Sequence, residues 1–419
     1  MSMKRIDITE VDKTTPSGAG AEPTDIVYVP GLSTKAAKGT EIAVNNDEDF
    51  VEKLGDSPVS FVYDPNNSST PGVFADAGIN YSVDLSYVYA RNLVNQGLTV
   101  VYDVVENNSA SVQDIYDAMY KVDGTNVSSC FDKLEEPGQY NVKYITSGAY
   151  PSIYNADVTN NSSYNKDISE RMILVASKRG DAGAVIDHAS NIGEKVYKDL
   201  IENANFSNGE YATMMTPGGD NKTELSGVVN LPASYAYLSA LAKSIKTNAN
   251  YLAIAGVTRG VLPNVKKLDF DISNAKADSY QRDEASKTSI NAITNINPYG
   301  LAIWGNRTLL RNSPEGGLTS GSYLNLRSLI YDIKKHLRSI ALSLLFEQNS
   351  DVLWLKFKSR ISPILDKMIA GNGILDYELI KNKVKDKSQL SIDVVITPVY
   401  DVESVKINVI VKDDDVTVA

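Results

Sequence analysis

The residues that could do covalent chemistry are few and widely spaced. The chain has two histidines, His188 and His336, and one cysteine, Cys130. His188 follows Asp187 in the run VIDHAS, and His336 lies beside Lys335 in a stretch of helical pattern. A Ser-His-Asp hydrolase would need one of these histidines as its base. Neither sits in a nucleophile setting, because no G-x-S-x-G elbow occurs. No G-x-x-x-x-G-K-[ST] loop is present, and no G-x-G-x-x-G follows a strand. Zinc needs clustered Cys and His, which one Cys and two distant His do not supply. The run Gly256-Val-Thr-Arg-Gly260 reads as a tight structural turn rather than an anion cradle. Cys130 excludes an internal disulfide and reads as a buried, inert thiol. Carboxylates are abundant, so a carboxylate-only hydrolase stays open, yet no spacing picks out a pair. No catalytic, cofactor-binding or metal-binding residue is therefore expected.

The elements that would have to position a site read as two or three domains' worth of chain, at 419 residues. Hydrophobic content of 42% against 22% charged is that of an ordinary globular protein. No run approaches the roughly 20 apolar residues of a membrane helix, so no membrane insertion is expected. The start, MSMKRIDITE, lacks an apolar signal core, so the chain is expected to stay in the compartment where it is made. Residues 321–412 hold 14 Lys and Arg against 10 Asp and Glu, a net +4, whereas residues 1–320 carry −12. An acidic body with a basic C-terminal unit argues against general nucleic-acid binding and permits head-to-tail attraction between copies.

Residues 6–8 alternate and are followed by a linker-like stretch from Thr14 to Pro23. Asp25 to Val29 reads as a strand closed by Pro30-Gly31. Asp47 to Leu54 reads as a short helix capped by Asn46 or Asp47, Ile79 to Asn95 as a longer helix, and Leu98 to Val105 as a buried strand. Ser111 to Tyr120 reads as a helix with Ser111 at its N-cap. Residues 150–168 read as a surface loop, Met172 to Ala176 as a strand, and Asp181 to Asn191 as the start of a loop or helix. A helix begins near Pro232 or Ala233. This alternation predicts an α/β core.

The C-terminal unit is clearer. Leu326, Leu329, Ile330, Ile333, Leu337, Ile340, Ala341, Leu344 and Leu345 fall on one helical face, with Lys334, Lys335 and Arg338 off it. A second helix starts near Asp351; Ser362-Pro363 predicts a cap or kink, and Gly371 and Gly373 a stop. Leu390, Ile392, Val394 and Ile396 then alternate, as do Val405, Ile407, Val409 and Val411 after Pro398, so the chain is expected to end in a pair of strands.

Several landmarks carry a family resemblance, and their order makes it specific. VYVPG, KGT and DFVEKLG lie near the start. Ala184-Val185-Ile186-Asp187, Tyr211 to Pro217 and Leu231 to Tyr235 lie in the middle. Ser289 to Ile293, Asn297-Pro298-Tyr299-Gly300 and Trp304 to Thr308 come next, then Tyr323 to Arg327, Phe346 to Asn349, Leu353-Trp354 and Gly371 to Gly373. This succession resembles contractile tail sheath proteins of phages and related injection systems. One departure is Asn95-Gln96-Gly97, where the family often has a Gly-Gly pair. The resemblance implies a layered α/β core plus a C-terminal α+β unit, with extended N- and C-terminal strand arms. In this chain it implies an exchange arm and linker at 1–24, an N-terminal α/β region at 25–170, a central core at 171–312, a C-terminal domain at 313–400 and a second arm at 401–419.

The implied function is structural: copies polymerise helically around a tail tube and contract, driving the tube through a cell envelope. The implied partners are further copies of the chain, the tube, and baseplate and tail terminator proteins. The implied place is a virion tail assembled in bacterial host cytoplasm. Ile6 and Ile8 would lie in one intersubunit arm, and Val405, Ile407, Val409 and Val411 in the other. Lys334, Lys335, Arg338, Lys356, Lys358 and Arg360 are candidates for tube or interlayer contacts. Trp304 is expected to pack where the core meets the C-terminal unit, with Arg307 pairing a carboxylate or carbonyls there. The sheath of a bacteriocin or secretion device, a scaffold that never contracts, and an α/β hydrolase-like enzyme using Asp187 and His188 are the alternatives.

Overall fold

A computed structural model of the chain describes residues 8–9, 13–14, 25–56, 58–61, 81–107, 112–150, 154–155, 164–165, 167–188, 206–247, 251–279, 289–310, 318–385 and 388–401. Eight strands make one sheet. In chain order they are β1 (Ile26–Ser33), β2 (Glu41–Val44), β3 (Thr99–Asn107), β4 (Tyr144–Thr146), β5 (Gly183–Ile186), β6 (Ala212–Thr216), β7 (Asn291–Ile296) and β8 (Gly300–Trp304). Their spatial order is β8-β7-β6-β5-β4-β1-β3-β2. The six inner strands run parallel, and β8 and β2 close the two ends antiparallel. The sheet crosses the expected boundary at 170/171, so residues 25–170 and 171–312 build one core rather than two.

Side-chain alternation sorts the sheet's two faces. Val27, Val29, Val100, Tyr102 and Val104 face one layer with α1 (Asp47–Leu54), α2 (Leu85–Asn95) and α5 (Ala233–Lys246). Tyr28, Leu32, Val101 and Val105 face the other, with α3 (Val112–Met119), α4 (Asp167–Arg179) and the turn at Cys130–Glu135. Burial on both faces is why β3 reads as a largely apolar run from Val100 to Val105, broken by the buried Asp103, which accepts from Tyr28 and Lys133. Asn46 caps α1 by accepting the Asp49 N–H at 2.8 Å, as its position predicts.

Four readings need correction here. Within the expected helix from Ile79 to Asn95, Tyr81–Val83 is a strand and α2 begins only at Leu85, capped by Asp84. Met172 to Ala176 is helix: it lies within α4, where Ile168, Met172, Ile173, Val175 and Ala176 are buried and Leu174 stands out at 36% exposure. A short run of branched side chains mimicked a strand. Residues 183–186 of the expected loop or helix form β5. And β1 does not stop at Pro30-Gly31. The Ile26 carbonyl accepts from Lys143 N–H on the β4 side (2.9 Å), and ladder alternation turns Pro30 to that same side. There β4 reaches only Val27 and Tyr28, so the missing proline N–H costs no bond. The Ser111 cap and most of 150–168 lie outside the described residues.

Beyond the sheet, α6 (Leu324–Leu342) and α7 (Asp351–Ala370) lead into β9 (Ile374–Lys381) and β10 (Ile392–Pro398). Leu329, Ile333, Leu337 and Ile340 of α6 meet Leu353, Phe357, Ile361 and Leu365 of α7 in a separate core. Helix α7 continues through Pro363, anchored by the fully buried Ile361 and Leu365. Among the described residues the partner of β10 is β9, which the sequence reading did not anticipate; the segment at Val405–Val411 lies outside them.

Candidate functional site at the core–C-terminal junction

In a doubly wound sheet, a ligand crevice opens at the carboxyl ends of the strands where the winding reverses. Here that point lies between β1 and β4. It is closed by side chains. Asp84 accepts from the Tyr87 N–H (2.9 Å), capping α2, and from the Tyr150 hydroxyl (2.8 Å). Ser86 Oγ accepts the Ala149 N–H at 2.7 Å. Gly148 has φ +65°, and a Cβ there would come within 2.3 Å of Ser86 Oγ, so the loop is seated directly on the helix start.

The hydrolase alternative rested on Asp187 and His188. The Asp187 carboxylate accepts the Ser234 N–H (2.9 Å) at the start of α5, so it caps that helix from the end of β5. Burial pushes its pKa up to about 7, with the Ser234 hydrogen bonds pulling back. The Ser234 hydroxyl bonds Tyr89 Oη (2.9 Å), and His188 Nε2 bonds Thr216 Oγ1 (2.9 Å). The hydroxyl bonded to His188 is thus a threonine inside β6. Cys130 is buried, and burial raises its thiol pKa further.

The charged side chains converge instead on the face that α6 turns to the core. Asp181, between α4 and β5, is bonded by Arg179 Nε (3.0 Å) and Arg338 Nη1 (2.6 Å), with Lys335 Nζ at 3.5 Å. Burial alone would raise the Asp181 pKa, but Arg179, Lys335 and Arg338 together hold it at about 2. Lys335 also donates to Asn141 Oδ1 (2.7 Å) and the Val142 carbonyl (2.9 Å), and Lys334 donates to the Gly180 carbonyl (2.9 Å). A second knot joins Lys143 Nζ to Asp25 (2.7 Å) and Asp332 (2.8 Å). Burial works against the Lys143 charge, yet the two carboxylates keep its pKa above the usual lysine range.

Between the two knots, Tyr144 Oη bonds Ser328 Oγ (3.0 Å), and the Arg327 guanidinium lies over the rings of Tyr211 and Tyr331. Tyr331 presses on Gly183, where an added Cβ would sit 3.1 Å from its ring. Arg327, Tyr331, Lys334/Lys335 and Arg338 recur at steps of three and four, so they share a helical stripe. Helix α6 is therefore buried on two faces, apolar toward α7 and charged toward the core. This corrects the expectation for Lys334, Lys335 and Arg338: at 5–6% exposure they tie the chain to itself and present no surface to a tube.

Lys356, Lys358 and Arg360 are exposed on α7. Lys356 pairs with Glu347 at 3.2 Å, and Arg360 bonds Ser343. Trp304 ends β8 at the sheet's edge and packs, like Phe270, against Ile272, Ala277 and Ala292. Arg307 does sit beside α6, stacked over Tyr323 at 4.7 Å, while its carbonyl accepts from Thr213 and Asn291. The backbone at Ile8–Thr9 pairs antiparallel with Lys13–Thr14. Ile6, Val405, Ile407, Val409 and Val411 lie outside the described residues.

The outer strand pair contrasts with this junction. Tyr377, Leu379, Ile392, Val394 and Ile396 pack inward on the α6–α7 core. The alternate positions face out, with Val395 48% and Leu375 64% exposed. Among the described residues no third strand joins β9 and β10.

This arrangement is the fold of contractile sheath proteins. The chain is similar to a chain of the PVC sheath complex, an extracellular contractile injection system in the contracted state, with TM-score 0.62 and 15% identity over 99% of this chain and 98% of that one. It is similar to a chain of the anti-feeding prophage baseplate in the contracted state, with TM-score 0.64 and 14% identity over 95% and 96% of the two chains. The sheath tail protein of Desulfitobacterium hafniense matches with TM-score 0.52 and 11% identity, over 91% and 99%. In sequence, 171 residues are 22% identical to the tail sheath protein of Vibrio phage KVP40, a match spanning 39% of this chain and 24% of the phage protein. No protein-family model matches the sequence. The resemblance to tail sheath proteins read from the ordered motifs thus reappears in a curated relative and in the fold.

Proposed function

We propose that this chain is the subunit of a contractile sheath. Copies polymerise helically around a tube, remain linked by exchanged strands, and shorten the lattice to drive the tube through a target envelope. The observation that carries this reading is the β9–β10 pair, with one face packed and, among the described residues, no third strand, in a fold shared with sheath proteins. An arm from a neighbouring copy would extend the pair by strand addition. Val405 to Val411 would supply one such arm, and Ile6 and Ile8 the other. Contacts that repeat head to tail without closing generate a helix. The acidic body and basic C-terminal unit favour such contacts between layers.

Lys356, Lys358 and Arg360 would meet an acidic tube, with baseplate and terminator proteins bounding the sleeve. Because the junction is buried and ion-paired, contraction on this reading moves whole subunits and bends the arms between them. Electron microscopy of the purified protein, alone and with its tube, tests the proposal. Long hollow cylinders are expected; discrete monomers at high concentration would refute it.

A phage tail and a non-phage injection device are two settings of this same reading. Capsid and terminase genes beside this one would point to a phage tail, and their absence to an injection device.

A further inference from the structure

A groove of about 190 Å³ runs between α5 and the segment at 261–265, far from the strand pair in sequence. Ala236, Ala240, Leu262 and Val265 give it apolar walls, and Lys243 and Lys246 stand at its rim. Both lysines are exposed, and among the described residues neither side-chain ammonium has a hydrogen bond or ion pair. No aspartate or glutamate is among the residues that line it. The space is smaller than the few hundred Å³ of a small-molecule site, but it accepts one or two apolar side chains. An occupant matched to it carries carboxylates for the lysines and small apolar groups beside them.

The chain itself contains that chemistry. Its last residues are Asp413-Asp414-Asp415-Val416-Thr417-Val418-Ala419, the only run of three consecutive aspartates in the sequence, followed mostly by small apolar side chains. We infer that the groove between α5 and residues 261–265 receives the Asp413–Ala419 tail of a second copy. The aspartates would meet Lys243 and Lys246, and Val416 or Val418 would fill the apolar floor. This rests on the proposed exchange of the preceding Val405–Val411 arm, which would deliver the tail to a neighbour. It adds a charge-dependent lock to main-chain pairing, which is blind to side-chain charge.

Two full-length variants test it, Ser239→Cys on the groove wall and Thr417→Cys in the tail, mixed in equal amounts and oxidised mildly. The native chain, with its buried Cys130, is the control and should give no dimer. A disulfide-linked pair of one groove variant and one tail variant is expected. Lys243→Glu with Lys246→Glu should cut its yield about tenfold, equivalent to roughly 1.4 kcal/mol, and Asp413→Lys with Asp414→Lys should restore it. Absence of the mixed pair overturns the inference, as does its persistence unchanged in the Lys243→Glu, Lys246→Glu background. Cylinder formation, scored on the same samples, keeps the readings apart. Cylinders without the link sink the groove and leave strand exchange standing, whereas the link without cylinders supports the groove and sinks the sheath.

Discussion

The C-terminal unit is joined to its own core and exposed to other chains by opposite means. Along α6, charged side chains are buried and multiply bonded, with Asp181 alone serving three cations. At the far side, β9 and β10 carry alternating side chains with one face in solvent. The large exposed apolar residues follow the same division. Phe346, Val352, Leu355, Leu375, Val395 and Tyr400 lie outside α6, and no residue of α6 is among them. Buried ion pairs fix an arrangement more than they stabilise it, since desolvation offsets most of the attraction. Open strand edges add stability only when another chain arrives. The unit is thus specified within its chain and left adhesive between chains.

The comparison breaks most visibly at the arm. Removing residues 402–419 should abolish cylinders in micrographs while changing the monomer's unfolding free energy by less than about 0.5 kcal/mol. A loss of several kcal/mol instead would mean that the segment belongs to its own subunit's core. Next comes the junction. Asp181→Ala leaves Arg179, Lys335 and Arg338 buried around a missing charge, so it should cost about 3–5 kcal/mol in urea titrations. The two tryptophans report separately, Trp304 from the sheet and Trp354 from α7 beside Phe357. Their fluorescence transitions should coincide in the native chain and separate in the variant, with Trp354 unfolding first.

The two buried aspartates respond to pH with opposite signs. Asp181 is depressed to about 2, so its stabilisation is complete above about pH 4 and is lost as pH falls through 2. Asp187 is raised to about 7, so the folded chain prefers it protonated, and stability should fall as pH rises from 4 to 7. Asp187→Asn keeps an oxygen for the Ser234 N–H and should flatten that slope, adding roughly 1–4 kcal/mol at pH 8. An unchanged slope in the variant would show that Asp187 titrates normally.

Local chemistry was legible and distant partnership was not. The α1 cap at Asn46, the buried strand β3, the start of α5 and the apolar stripe of α6 each depend on neighbours within a turn or a strand. The charged stripe of α6 looked solvated because its partners Lys143, Gly180, Asp181 and Asn141 lie 154–194 positions away. One signal was present: Arg327, Tyr331, Lys335 and Arg338 share a face at helical spacing, too regular and too aromatic for a plain solvent face. Strand β9 was legible but passed over: Tyr377 and Leu379 alternate with Asp376 and Glu378, a period-two signal in a run too short and acidic to stand out. The packing of Trp304 on Ile272, Ala277 and Ala292 was not legible because those partners lie beyond its own strand.

The smallest expected effect is also the sharpest test of how the junction works. Lys335 is one of three cations around a single carboxylate. Burial is the largest influence on it and brings its pKa down to about 8, despite Asp181 nearby. A buried lysine depressed from its usual range burdens the fold while protonated. That burden lifts as pH rises from 8 toward the unfolded value, so native stability should increase across that interval. Lys335→Met keeps the stem's packing and leaves Asp181 bonded to Arg179 and Arg338. It should therefore shift stability at pH 7 by less than about 1 kcal/mol and erase the alkaline rise. Asp181→Ala and Lys335→Met remove opposite sides of one contact, yet the first orphans three charges and the second none. Equal costs for the two would mean that the contact stabilises as an ordinary ion pair, and the distinction between a specifying junction and an adhesive edge would lose its physical basis.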